Sequence, residues 1–150
     1  MEKDKIVKIL KEYFEKEDAV VFAYLFGSYA KGKEYKKSDV DIAVYVNELI
    51  AKDPKKVLEF QVKHMSNISD ILKREVDLVI LNQASPLLRH EVISEGILLL
   101  EKDHNKLVDF KKVSFYYYQD WLHIMKIKMM YIKERISADG KERIGQWENR

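Results

Sequence analysis

The segment GSYAKGKEYKKSDVDIAVYV, residues Gly27 to Val46, decides how the chain folds and what kind of site it carries. Its first half nearly matches the phosphate-binding P-loop, G-x-x-x-x-G-K-[ST]. Gly27, Gly32 and Lys33 fit that motif, but Glu34 stands where the motif needs a magnesium-binding hydroxyl. A carboxylate at this position would also lie close to the phosphates, so the match is incomplete where the chemistry matters most.

The spacing to the next strand excludes the P-loop. A P-loop joins a strand to a parallel neighbour through a crossover helix, which needs about a dozen residues or more. Only residues 34–38 separate Lys33 from the strand expected to begin at Asp39. Two interpretations remain at this point: an ordinary solvent-facing turn between two strands, or one half of a different nucleotide site.

Hydrophobic periodicity predicts an α/β (α+β) fold with a small mixed β-sheet, flanking helices and a long C-terminal helix. Residues 1–101 are expected to form the core and residues 102–136 a helix that packs on the core, a partner or both. The polar residues 137–150 are expected to form a flexible tail, within a single domain overall. The predicted strands are 19–26, 39–46, 76–81 and 97–101, and the predicted helices are 4–16, 53–72, 85–96 and 105–136.

Composition excludes several classes of protein. The 150 residues include 27 Lys and Arg against 25 Asp and Glu, so bulk charge gives no reason to expect direct nucleic-acid binding. There is no cysteine, which excludes disulfides and thiolate zinc sites. No apolar run approaches the roughly 18 residues that a membrane span needs. We therefore expect a cytoplasmic protein without a membrane partner.

Three carboxylates stand in or beside strands, where aspartate is rare. Asp39 and Asp41 are two residues apart and share one face of a strand, and Asp77 interrupts another apolar strand that is a candidate neighbour. Three such charges repel one another unless a divalent cation neutralises them, and oxygen ligands suit Mg²⁺ or Mn²⁺. The alternative is that Asp39 caps a turn while Asp41 and Asp77 face solvent.

The combined pattern resembles the polymerase-β-type nucleotidyltransferase superfamily. That pattern is a Gly-Ser turn (Gly27, Ser28), D-x-D on the next strand (Asp39, Asp41) and a third carboxylate on a later strand (Asp77). The resemblance covers about residues 1 to 101. It implies that the three aspartates are catalytic and bind two Mg²⁺ ions, with ATP as the substrate.

The resemblance also assigns the nucleotide-binding residues. Gly27 would let the backbone approach the phosphates, and Ser28 would donate a hydrogen bond to them. Lys31 would offset their charge, although the family usually has Arg here, so a bidentate grip on phosphate is lost. Lys33, Lys36 and Lys37 are weaker candidates for the same role.

A closer resemblance is to the minimal nucleotidyltransferases, the MNT family, and rests on GSYAKGKEYKKSDVDIAVYV, SPLLRHEVISEGILLLEKD and FYYYQDWL. MNT proteins are commonly antitoxins of HEPN-domain ribonucleases, and some transfer AMP from ATP to a tyrosine of the toxin. The resemblance therefore implies a protein adenylyltransferase with a HEPN toxin as partner. Two alternatives stay open: an antitoxin that acts by binding alone, and a small-molecule nucleotidyltransferase.

The C-terminal helix carries two apolar stripes, which is more than one small sheet needs. We expect the first stripe to pack on the chain's own core. From the second stripe we expect Tyr117, Trp121, Ile124 and Tyr131 to contact a partner helix. The first stripe consists of Phe115, Tyr118, Leu122, Met125, Met129, Ile132 and Ile136, and the second of Phe110, Val113, Tyr117, Trp121, Ile124, Ile127 and Tyr131.

Overall fold

The computed structural model describes residues 2–32 and 39–148, with side chains described up to Gly140. Lys33, Lys36 and Lys37 lie outside the described residues. The strands are β1 (Val20–Phe26), β2 (Val40–Val46), β3 (Val76–Ile80) and β4 (Ile97–Glu101). The helices are α1 (Glu2–Glu15), α2 (Gly27–Ala30), α3 (Glu48–Ala51), α4 (Pro54–Leu72), α5 (Pro86–Glu95) and α6 (His104–Glu148).

The four strands form one mixed sheet in the order β3-β2-β1-β4. β1 is antiparallel to both β2 and β4, whereas β2 and β3 are parallel and are connected through α3 and α4. The antiparallel arrangement of β1 and β2 confirms that their connection is not a P-loop, since a P-loop connection would join parallel strands. The predicted fold class is confirmed.

Helices cover both faces of the sheet, and β2 contacts both layers. Val40, Ile42 and Val44 pack with α1 and α4 in one buried cluster, whereas Ala43 and Tyr45 belong to a second cluster with α5 and the first turns of α6. Successive side chains of a strand point to opposite faces. Asp41 therefore lies on the same face as Ala43, which is the face that α5 and α6 cover.

Capping residues fix where α4 and α5 begin. The side chain of Asp53 accepts a hydrogen bond from the backbone N–H of Lys55, and Ser85 accepts one from Leu88, with proline following each cap. Both predicted helix starts are confirmed. The sequence predicts that Leu58, Met65, Ile68 and Leu72 form the inward face of α4, which was partly wrong, because Leu58 is 61% exposed and Val57 is buried instead. Val57, Phe60, His64 and Ile68 also repeat at helical spacing, and this set is the one that faces the sheet.

α6 is longer than the sequence predicted. The expected end of the helix at Ile136 was wrong, because the helix continues to Glu148 and includes residues 137–148 of the segment that was expected to be a flexible tail. Segment 137–148 is polar but contains no proline, and its glycines weaken a helix by only about 1 kcal/mol each relative to alanine. Polarity by itself does not end a helix. None of the described helices is long and apolar enough to cross a bilayer.

Candidate active site

The turn after β1 requires a glycine at its first position. Gly27 has a backbone φ of +72°, and a Cβ atom added there would lie 2.2 Å from Oδ2 of Asp41. A side chain would therefore collide with the carboxylate as well as strain the backbone. Ser28 follows, half-buried, and Tyr29 is fully buried in the core with Arg74 5.8 Å above its ring. Tyr29 thus anchors α2 beside the end of β1, a role that the sequence did not reveal.

Two of the three predicted carboxylates lie side by side. Asp41 of β2 pairs in register with Asp77 of β3, and on its other side it pairs with Phe26, the residue just before Gly27. Parallel neighbours are about 4.8 Å apart and place register partners on the same face. Asp41 is half-buried and Asp77 is exposed. The structure therefore brings Gly27, Asp41 and Asp77 together, because Asp41 lies between Asp77 on one neighbouring strand and the turn that follows the other.

Asp39 precedes β2 instead of beginning it, and its side chain is exposed. It still lies close enough to influence Asp41. Burial, followed by the negative charges of Asp77, Asp39 and Glu91, raises the pKa of the Asp41 carboxyl to about 6. A raised carboxyl pKa with like charges among its causes is the electrostatic pattern expected where carboxylates share one site.

The chemistry of these donors fits a hard divalent cation. Carboxylate oxygens are the ligands that Mg²⁺ and Mn²⁺ prefer, and the mutual repulsion at Asp41 is what a cation would relieve. Among the side chains that the structure describes, those of residues 2–32 and 39–140, however, no group of three His, Asp or Glu converges closely enough to form a ready-made metal cluster. The carboxylates are neighbours, and their side chains would have to turn toward one another to coordinate an ion.

Lys31 joins α2 to α5. Its ammonium group lies 2.7 Å from Oε2 of Glu95 and 3.8 Å from Oε1 of Glu91. The hydrogen bond to Glu95 and its charge raise the pKa of Lys31, and Glu91 adds to the effect. The charge of Glu91 also contributes to the raised pKa of Asp41. Lys31 therefore lies close to the aspartates of the site, although its ion pairs are with Glu91 and Glu95. Sequence reasoning missed both glutamates; their spacing of four places them on one helix face, but only the docking of α5 shows which face meets the site.

The predicted partner residues of α6 lie on the surface. Tyr117, Ile124 and Tyr131 are 51%, 49% and 67% exposed, and Trp121 is half-buried with its ring 5.9 Å from that of Tyr118. The expectation that the first stripe packs on the chain's own core was wrong. That stripe is only half-buried at Tyr118, Leu122 and Met125, and every described side chain from residue 126 to 139 is exposed. α6 leaves the core after its first turns, so neither stripe has core to cover there.

Comparison with known proteins identifies the family. The model of the polymerase beta nucleotidyltransferase domain matches residues 8–105, which include Gly27 and all three aspartates. The chain belongs to this family. It is a nucleotidyltransferase, and the four strands, the turn and the carboxylates described above all lie within the matched residues.

Named relatives support the same assignment. The protein adenylyltransferase MntA of Shewanella oneidensis is 31% identical over 117 residues, covering 77% of this chain and 78% of the relative. A putative protein adenylyltransferase of Methanocaldococcus jannaschii is 32% identical over 98 residues, covering 65% of this chain and 94% of the relative. The resemblance to minimal nucleotidyltransferases is confirmed.

A solved structure shares the fold over nearly the whole chain. It is a complex of a tri-AMPylated Shewanella oneidensis HEPN toxin with an MNT antitoxin, with a TM-score of 0.62 and 24% identity. The alignment covers 91% of this chain and 99% of the matched one, so it includes a large part of α6 as well as the sheet.

Proposed function

We propose that this nucleotidyltransferase transfers AMP from ATP to a tyrosine hydroxyl of a HEPN ribonuclease toxin and thereby acts as its antitoxin. The observation that carries the proposal is the register pair of Asp41 and Asp77, with Asp41 against the backbone of Gly27. The names of the two adenylyltransferase relatives and of the solved toxin complex support the acceptor class.

In this proposal Asp39, Asp41 and Asp77 would hold two Mg²⁺ ions. When bound, the ions neutralise charge on the triphosphate and stabilise the entering and leaving oxygens of an in-line displacement. Asp77, the exposed member of the register pair, accepts the proton of the tyrosine hydroxyl. The phenolic oxygen forms a bond to the α-phosphorus of ATP, the bond from that phosphorus to the bridging oxygen breaks, and pyrophosphate leaves.

The turn would hold the phosphates. Gly27 has no side chain, so the backbone of the turn approaches the triphosphate closely, and Ser28 donates a hydrogen bond to a phosphate oxygen. Lys31 would exchange its ion pairs with Glu91 and Glu95 for the phosphate charge. Tyr117, Trp121, Ile124 and Tyr131 of α6 would contact the toxin, because exposed aromatic and apolar side chains in one patch are typical of protein interfaces.

Transfer of a label tests the proposal. The chain is incubated with ATP labelled on the α-phosphate, Mg²⁺ and the cognate HEPN toxin, and the wild type is compared with Asp39→Asn plus Asp41→Asn. We expect the double variant to lose at least about a hundredfold in rate, since the reaction would lack its cation ligands. A control with the same change of charge is Asp4→Asn plus Asp70→Asn, two exposed residues of α1 and α4.

The same experiment identifies the acceptor residue and distinguishes the proposed function from its alternatives. Mass spectrometry should place the AMP group on a toxin tyrosine, and its replacement by phenylalanine should abolish labelling. Equal labelling by wild type and double variant would contradict the metal-site assignment. Toxin neutralised by the double variant without any label would instead indicate an antitoxin that acts by binding alone.

A further inference from the structure

The first stripe of α6 has the spacing of a coiled-coil seam. Its members, from Phe115 to Ile136, are separated alternately by three and four residues, which is the heptad pattern with apolar a and d positions. A strict repeat of 3.5 residues keeps one narrow face of a helix turned toward a partner helix. Of these positions Met129, Ile132 and Ile136 are 51%, 49% and 67% exposed, so the chain itself does not cover them.

The positions that flank this seam are basic. With Phe115 at position a, the e and g positions beyond Trp121 are occupied by Lys126, Lys128, Lys133 and Arg135, all of them exposed. The acidic residues of segment 115–136, Asp120 and Glu134, both fall at position f, on the far side of the helix. Beyond Trp121 the seam is therefore bordered by positive charge along both edges, whereas Gln119 and Trp121, at e and g of its first heptad, carry no charge.

This charge pattern decides what kind of helix fits. In a parallel pair of helices g positions face e′ positions, and in an antiparallel pair g faces g′ and e faces e′. A second copy of this chain would place lysine or arginine against lysine or arginine in either orientation. Like charges at these positions oppose pairing, whereas opposite charges favour it and set the choice of partner.

We propose that the seam from Phe115 to Ile136 binds an amphipathic helix of another protein, with apolar a and d residues flanked by glutamate or aspartate. The surface and its charge requirement do not depend on catalysis. The further step, that the helix belongs to the HEPN toxin, rests on the proposed function. The seam lies on a different side of α6 from Tyr117, Ile124 and Tyr131, which share the c position, so α6 offers two contact faces, and Trp121 at position g lies between them.

Two designed peptides test the charge requirement. Both are three heptads long with leucine at a and d, and they differ only in carrying glutamate or lysine at e and g. Fluorescence anisotropy with the full chain should give binding about tenfold tighter for the glutamate peptide, because each of four flanking pairs contributes a small factor. The difference should shrink as salt is added.

Charge reversal on the protein supplies the decisive variant. Lys126→Glu, Lys128→Glu, Lys133→Glu and Arg135→Glu together should invert the preference, so that the lysine peptide binds more tightly. Because these side chains are exposed, circular dichroism should show unchanged helix content. A matched control reverses Lys8, Lys11, Lys55 and Lys56 of α1 and α4, which are also exposed, and should keep the preference of the wild type.

The outcomes separate this inference from the proposed function. Equal affinity for the two peptides, binding of neither, or a preference that the control reverses as well would overturn the inference. A dimer of the wild type in sedimentation equilibrium that Ile132→Lys dissociates would also overturn it, since a second copy would then occupy the seam. Inverted peptide preference together with undiminished labelling of the toxin by the charge-reversed variant would uphold the seam but assign it to a partner other than the toxin.

Discussion

The sheet and the distal half of α6 contain similar apolar residues, but only the sheet buries them. Ile42 of β2 is fully buried between two layers, whereas Ile132 of α6 is 49% exposed. Both positions follow a clear hydrophobic period in the sequence, of two residues in the strand and 3.5 in the helix. Periodicity therefore predicts which face of an element is apolar, but not which molecule covers that face.

The sheet and the distal part of α6 should therefore have different roles in the protein. The buried sheet holds Asp41 and Asp77 at fixed positions beside the turn at Gly27, as the proposed site for group transfer requires. The distal helix contributes almost nothing to the core, and its exposed apolar residues form the type of surface that marks a protein interface. Stability should thus depend on the sheet and recognition on the helix.

The largest expected difference comes from one substitution made in both regions. Ile42→Ala should lower the free energy of unfolding by about 2–5 kcal/mol, because it leaves a cavity between the sheet and its helices. Ile132→Ala should change it by less than about 0.5 kcal/mol, because the side chain packs on no core. Urea denaturation of the two variants measures both values. Similar losses would mean that α6 is buried in solution, most simply in an oligomer.

A pair of glycines sharpens the comparison within the site. Gly27→Ala should cost about 2–4 kcal/mol, since it combines a left-handed backbone with a Cβ atom that collides with Asp41. Gly32 has a similar φ of +69° but no described atom within 4 Å of the added Cβ, so Gly32→Ala should cost only about 1 kcal/mol. Transfer activity should be lost in the first variant and kept in the second. Activity retained by Gly27→Ala would show that the close approach of Asp41 to this turn is unnecessary.

The pH dependence of stability tests the crowding of carboxylates. The unfolded chain holds Asp41 near its ordinary pKa of about 3.9, whereas the folded protein holds it at about 6. Between these values the folded state binds more protons, so the contribution of Asp41 makes stability fall as the pH rises from about 4 to 6. Asp41→Asn removes this penalty and should raise the free energy of unfolding by about 1 kcal/mol at pH 8, after allowance for solvent screening, with little effect at pH 4.

Divalent ions should reverse that result. Mg²⁺ or Mn²⁺ at pH 8 should stabilise the wild type and leave Asp41→Asn unaffected. A bound cation would neutralise the repulsion among the carboxylates and would bind only the folded state. Thermal denaturation with and without each ion makes the measurement without any transfer assay. Equal stabilisation of both proteins would argue against coordination by Asp41.

Much of the fold and part of the site could be predicted from the sequence. Strand and helix positions follow from periodicity and from the caps at Asp53 and Ser85, and the D-x-D pattern located Asp41. Glu91 and Tyr29 could not be found in this way. Their roles depend on how α5 docks and on which of four consecutive turn residues enters the core, and both depend on tertiary packing. The burial of the first stripe was predicted wrongly for the same reason, because the sequence does not state where the core ends.

The smallest expected effect on stability should come from deletion of the distal part of α6. A chain that ends at Met125 lacks residues 126–139, whose described side chains are all exposed, together with the helical turns up to Glu148. Its midpoint of urea denaturation should therefore match that of the full chain, with a change in unfolding free energy below about 0.5 kcal/mol. Binding of the acidic helix peptide should nevertheless disappear, because the deletion removes Met129, Ile132 and Ile136, the three most C-terminal of the seven seam residues, and all four flanking cations. A loss of more than about 1 kcal/mol would place the distal helix against the core and remove the distinction between the two regions. Unchanged stability with lost binding would show that the part of α6 beyond Met125 serves recognition and not the core.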